Sequence, residues 1–340
     1  MALIVVALSA CDNVDWGGID VAVVPPPPRG AGGQAADAEA ELGPMPSGPV
    51  LYYVRTDSAG GMIVPVGEIA GDSLVALGAA ADPELYGARF ISEHLRRGAE
   101  FTLFRRGSRV GTLVVQSAEV PMEVECRRLP RGRGTLEIGR IDSLAAGVEF
   151  IALAKSAAPE GQRATVPLRA TGGMMRVTPI LAERALRARG AQLPGNWGAA
   201  MAQLQPFPVS SSGDAGIAAT FLVDDQLQIG NDDTGYSMLL LAVPRGDLTG
   251  YDTAYVAHSA YETTGKRAPR LIDFLDWDRD GGAELLLEVY GTRTAWFETV
   301  GPVSESGWER GFVETCDAAV TATVTARDSL TRDTVQSGGP

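Results

Sequence analysis

Beyond residue 49 the chain is built from short apolar stretches, each cut off within a few residues by Gly, Pro, Asn or Asp. That punctuation restricts the fold more than any other feature, because it leaves room for strands and hairpins but little for long helices. The 41 glycines and 21 prolines reinforce it. Strands are expected at 50–54 and 62–66, in a pair around Arg106-Gly107-Ser108 within 101–115, and in further short stretches through Ala154. Later strands are expected at 218–223, 236–243, 251–261, 270–275, 283–290 and 295–300, with a last one at 308–314. One helix should start at Asp82-Pro83-Glu84, where Asp caps, Pro takes the first helical position and Glu meets the positive end of the dipole. Gly98 should end it. A second helix is expected from Thr178-Pro179 to Gly190, and a short third from Trp197, Met201 and Leu204, with 206–213 as a loop.

The fold class implied is mainly β with a few helices (α+β), made of antiparallel sheets and hairpins. The segments expected are 1–11, a signal ending in Cys11; 12–48, a disordered Pro/Gly/Ala tether around Pro25-Pro26-Pro27-Pro28; 49–156, a mainly β domain with one helix; 157–213, a mixed helical segment; 214–315, an antiparallel β region that contains an acidic hairpin loop; and 316–340, a disordered tail poor in large apolar residues. Hydrophobic residues make up 45% of the chain, which is enough for a sizeable core. The net charge is −13, from 42 acidic and 29 basic residues. Nucleic acid is therefore excluded as a partner, since phosphate backbones demand clustered cations. Lysine occurs only at Lys155 and Lys266; the remaining cations are arginine.

The apolar run Ala2 to Leu8 is too short to span a bilayer but suits the core of a secretory signal. Leu8-Ser9-Ala10-Cys11 resembles the lipobox of bacterial lipoproteins. The resemblance implies cleavage before Cys11, lipid on its thiol, and a location at the bacterial cell envelope, periplasmic or on the cell surface. The membrane would then be one partner, and an envelope glycan or another envelope protein the other. Cys126 and Cys316 remain, an even pair for an oxidising compartment. A Cys126–Cys316 disulfide and two buried thiols are both open readings.

The stretch LDWDRDGGAELLLEVYG, from Leu275 to Gly291, carries the sharpest chemical signal. Asp276, Asp278 and Asp280 stand at alternate positions, and carboxylates so close repel unless a cation joins them. They let three acids curl around one hard ion such as Ca²⁺, while a solvated acidic turn with no ion and a catalytic role are the alternative readings. Gly281 permits a sharp turn, Gly282 offers a carbonyl, and Glu284 supplies a further ligand directly or through water. An EF-hand would need a bidentate Glu where Leu287 stands, so this loop is of another kind. It resembles the calcium loops of FG-GAP and VCBS-type repeats, which read Asp-x-Asp-x-Asp-Gly-x-x-Asp between two strands, with Glu284 replacing the last Asp. The resemblance covers 269–296 and implies a structural Ca²⁺ of weak affinity, on the order of 10⁻⁴ to 10⁻³ M. The loop occurs once, whereas a propeller needs at least about four blades, so a complete propeller is not expected. Asn231-Asp232-Asp233 is a faint second copy.

Other catalytic signatures are sparse. His94 and His258 are the only histidines, and neither belongs to a metal-ligand pair. There is no nucleophile elbow, P-loop or dinucleotide fingerprint. Arg127, Arg128, Arg131, Arg133 and Arg140 form a local basic run. The function expected is an exported, lipid-anchored binding or envelope-assembly protein. The alternative is a hydrolase of envelope polymers using carboxylates such as Asp224, Asp225, Asp232 and Asp233, which would need two acids facing across a cleft.

Overall fold

The computed structural model describes residues 44–78, 83–121, 129–139, 145–159, 168–209, 214–230, 234–246, 250–303 and 307–314. The expectations placed on Cys11, Cys126, Cys316, Asp82, Asp232, Asp233, Arg127, Arg128 and Arg140, on most of the tether and on the tail lie outside these residues.

The first part runs β1 (Val50–Asp57), β2 (Gly60–Ala70), β3 (Ser73–Val75), α1 (Pro83–His94), β4 (Glu100–Arg105), β5 (Ser108–Glu119), β6 (Arg131–Ile138) and β7 (Glu149–Ala154). Its strands pair in the order β1-β7-β4-β5-β6-β2, and β1 pairs back onto β2. Six antiparallel strands thus close into a barrel, with β3 added to β2 as a short hairpin. Closure removes the free edges that an open sheet would expose. Alternate residues point inward: Tyr52, Val54, Ile63, Phe101, Leu113 and Phe150 share a core with Tyr86 and Phe90 of α1. The strand Val-Leu-Tyr-Tyr-Val at the start of β1 is buried without alternation. Its outward residues Leu51 and Tyr53 are covered too, by the second part of the chain.

That second part contains α2 (Gly172–Ala188), α3 (Trp197–Ala200), β8 (Met201–Pro208), β9 (Ala215–Val223), β10 (Tyr236–Pro244), β11 (Tyr251–Ala260), α4 (Tyr261–Thr264), β12 (Ala268–Leu275), β13 (Glu284–Tyr290), β14 (Ala295–Val303) and β15 (Gly307–Val313). β8 to β11 form one four-stranded antiparallel meander and β12 to β15 another. Phe207, Ala218, Leu239 and Leu241 of the first pack on Leu271, Leu285, Leu287 and Val289 of the second. The far side of the first sheet is covered by Met174, Leu181, Ala182 and Leu186 of α2. The far side of the second meets the barrel wall, where Ile272, Leu275, Leu286 and Phe297 pack among Leu51, Tyr53, Phe104 and Ile151. The layers therefore run helix, sheet, sheet, barrel. Because both its faces are covered, β13 reads Leu-Leu-Leu rather than alternating. The fold is mainly β and antiparallel as expected, and two meanders do not make a complete propeller.

Polar side chains fasten the layers. Gln203 acts as a substitute strand: its Nε2 donates to the Leu271 carbonyl and its Oε1 accepts from the Leu271 N–H, both at 2.8 Å. Arg270 donates to Glu149 of the barrel at 2.7 and 2.5 Å and to Glu288 at 2.6 Å, and Tyr53 donates to the same Glu149. Burial alone would raise the Glu149 carboxyl, but Arg270 outweighs it and holds the group below its ordinary range.

Three local expectations are corrected. The second helix begins not at Thr178 but at Gly172, with the Thr171 hydroxyl accepting from the Met174 N–H at 3.2 Å. Pro179 lies inside the helix, where it forfeits one backbone bond. The third helix is a single turn, and Met201 and Leu204 belong to β8 instead. β8 is an edge strand, which is why Pro206 and Pro208 are tolerated in it. Residues 206–208 are likewise strand rather than loop, because Phe207 fills the space between the two sheets.

Candidate metal centre

The acidic loop joins β12 to β13, two strands paired from Ala268↔Tyr290 to Leu275↔Glu284. Leu275 and Leu285 are wholly buried and clamp the two ends of the loop. Between them the backbone reverses through Arg279 (φ 70°) and Gly281 (φ 94°). Both lie in the left-handed region, which glycine enters freely and arginine only at some cost. Side chains of the loop bond its own amides. The Asp280 N–H donates to Asp278 Oδ1 at 3.0 Å, and the Gly282 N–H donates to Asp280 Oδ1 at 2.6 Å. The N–H groups of Arg279 and Gly281 point at Asp276.

Asp276, Asp278 and Glu284 converge: one carboxylate oxygen from each lies within 4.8 Å of the others. Glu284 is buried, and its Oε2 accepts the Trp277 N–H at 3.0 Å. Burial pushes its carboxyl up to about 8, and the charges of Asp278 and Asp276 add to that rise. Burial also raises Asp276, with Asp280 contributing, and raises Asp278, with Asp280 and Asp276 contributing. The cluster is thus a place where negative charge is costly unless a proton or a cation is held there.

The donor set fits a hard divalent cation. Calcium–oxygen bonds of about 2.3–2.6 Å allow ligands on opposite sides of one ion to stand about 5 Å apart. Asp276, Asp278 and Glu284 would hold the ion, with water or loop carbonyls completing the shell of about six to eight oxygens. Asp280 and Gly282 were also expected as ligands. Asp280 is exposed, accepts the Gly282 N–H and lies outside the convergent carboxylate group, while the Gly282 carbonyl is among the loop carbonyls that could complete the shell. Gly301, on β14, lies beside the site, and a Cβ there would stand 3.3 Å from Glu284 Cγ.

The chain matches no family model, and neither the curated proteins nor the solved structures compared with it yield a match.

The candidate carboxylates of the hydrolase reading fare differently. Asp224 is exposed and has a left-handed backbone (φ 54°). The Asp225 side chain is wholly buried in an ion pair with Lys266. The two histidines lie in separate cores, His94 against Phe90 and His258 against Tyr236, and burial lowers both. Two buried acid–base clusters were not expected as clusters: Arg270 with Glu149 and Glu288, and Lys266 with Tyr261 and Asp225, of which Asp225 alone was expected, as a hydrolase carboxylate. The rarity of lysine was the available signal for the second. The only signal for Asp273, now seen to be buried and bonded to the Arg106 N–H, was an acid within the apolar run Leu-Ile-Asp-Phe-Leu.

Proposed function

We propose that this chain is an exported, lipid-anchored binding or envelope-assembly protein whose β body is stabilised by one Ca²⁺. The observation that carries the calcium part of the reading is the convergence of Asp276, Asp278 and buried Glu284 at the mouth of the β12–β13 hairpin. Lipid on Cys11 would tether the body to the membrane through residues 12–48, and extracellular calcium would suit a weak site. The ion acts structurally: it neutralises the hairpin loop whose strands form the central layer between the first meander and the barrel. The binding role is supported by a polar cleft of roughly 260 Å³ where the barrel, the β8 edge of the first meander and β12 meet, lined by Arg105, Arg106, Glu149, Gln203, Gln205 and Arg270. Its mixed charges favour a hydroxyl-rich or zwitterionic ligand such as an envelope glycan.

The deciding experiment is thermal unfolding in calcium and in chelator, for wild type and Asp278→Ala. Calcium should raise the melting temperature of the wild type and leave that of the variant nearly unchanged. Identical melting of the wild type in both conditions would reduce the loop to a solvated acidic turn.

A further inference from the structure

In a chain that uses arginine for nearly every cation, Lys266 is the one buried basic side chain of its kind. Lys155, the other lysine, pairs with Glu100 at 2.5 Å on the surface. Lys266 is 5% exposed, and its ammonium and the Asp225 carboxylate are both wholly shielded from water. Nζ contacts Asp225 Oδ1 and lies 3.3 Å from the Gln226 carbonyl. The Tyr261 hydroxyl donates to the other oxygen, Oδ2, at 2.5 Å. Tyr261 is itself buried, and its N–H is anchored on the Gly235 carbonyl at 3.1 Å. The three side chains meet where β9 ends and where α4 leads into β12, so they join the two meanders.

An ion pair with no water around it recovers only part of the solvation that its charges lose. An arginine would serve that pair better through its planar fork, so an ion pair alone does not explain why a primary amine stands here. A primary amine, unlike a guanidinium, is a nucleophile once it loses a proton. Here it faces a carboxyl group whose second oxygen already has a hydrogen-bond donor.

We propose that Lys266 and Asp225 condense into an intramolecular amide, a covalent cross-link between the two meanders. A proton passes from the ammonium to Oδ1, leaving a neutral amine beside a neutral acid. The Nζ lone pair attacks Cγ, and the charge that develops on Oδ2 is held by the Tyr261 O–H, which acts as an oxyanion donor. A second proton passes from Nζ to Oδ1. The Cγ–Oδ1 bond breaks, water leaves, and Oδ2 becomes the amide carbonyl. Of the ammonium's three protons, one stays on the amide and two depart in the water, so no oxidant, nucleotide or external acid is needed. The two reacting groups are held in contact by the fold, which replaces a bimolecular encounter by a positioned one. The product carries no charge, and the dry surroundings oppose its hydrolysis.

Mass spectrometry of the denatured full chain tests this. The wild type should be lighter than Lys266→Arg by the Lys–Arg mass difference plus one water. Trypsin should release segment 190–245 joined to segment 246–267, with no cleavage after Lys266. Tyr261→Phe should reduce the linked fraction at a fixed time after folding. A wild-type mass that differs from the variant by the residue difference alone, with trypsin cutting after Lys266, overturns the cross-link. If Lys266→Arg does not fold, the wild-type digest still decides. Full linkage in Tyr261→Phe overturns the role given to the phenol.

Discussion

Glu284→Gln should change sign with calcium. Glutamine keeps an oxygen for the Trp277 N–H, so the loop's anchor survives while its buried charge goes. In chelator the wild-type group titrates near 8, above the ordinary carboxylate value of 4.5. The folded state then binds its proton more tightly than the unfolded one, and stability falls as pH rises from about 4.5 towards 8. At pH 7.5 this penalty is on the order of 2–4 kcal/mol, and the glutamine variant escapes it. Calcium reverses the comparison. With an affinity of about 10⁻⁴ to 10⁻³ M, 10 mM calcium stabilises the wild type by roughly 1.4–2.7 kcal/mol. At about 2 °C per kcal/mol for a body of this size, the wild type should melt about 3–5 °C higher than in chelator. The variant, lacking one ligand charge, should gain less than half of that. The assay is denaturant and thermal unfolding at pH 7.5 in 10 mM calcium or in chelator, with magnesium as control. Two results would refute the reasoning: a variant less stable than wild type in chelator, or a wild type whose melting ignores calcium.

Other substitutions probe the joints between layers. Asp273 is buried, with its carboxyl raised to about 7 by burial; it accepts the Arg106 N–H and its neighbour Phe274's N–H at 2.8 Å each. Its folded value exceeds its unfolded one, so stability should decline as pH rises between about 4 and 7, and Asp273→Asn, whose Oδ1 can accept both bonds, should flatten that decline in urea titrations. A variant curve as steep as the wild type's would show that another group carries the pH dependence. Arg270→Met removes the cation shared by Glu149 and Glu288 and should cost roughly 3–5 kcal/mol by equilibrium unfolding, because two largely buried acids lose their partner. A cost below about 1 kcal/mol would mean that water reaches the cluster.

Strands were legible where an apolar run was both local and bounded by turns. β10, β12 and β13 each satisfy that rule, so 236–243, 270–275 and 283–290 lie close to their true limits. β8 escaped because two prolines disguise it, and only its edge position makes them harmless. The start of α2 escaped because Gly172-Gly173 looks like a linker, although Thr171 caps it. Barrel closure could not be read at all: the pairing of β1 with β7 joins residues about a hundred positions apart, and no local pattern selects that partner. In the loop, the spacing of Asp276 and Asp278 placed them together, but strict alternation put Asp280 there as well. Arg279 breaks the alternation by entering the left-handed region, and Asp280 swings to the Gly282 amide. Glu284 closes the group from the first position of the next strand.

The double covering of the second meander has a practical corollary. Leu286 and Phe297 are dry only because barrel wall lies over them, and Leu51 and Ile151 only because that meander lies over the barrel. Cutting the gene near residue 156 would leave each product with a bare greasy wall, and such fragments should precipitate when made separately yet recover solubility when co-expressed.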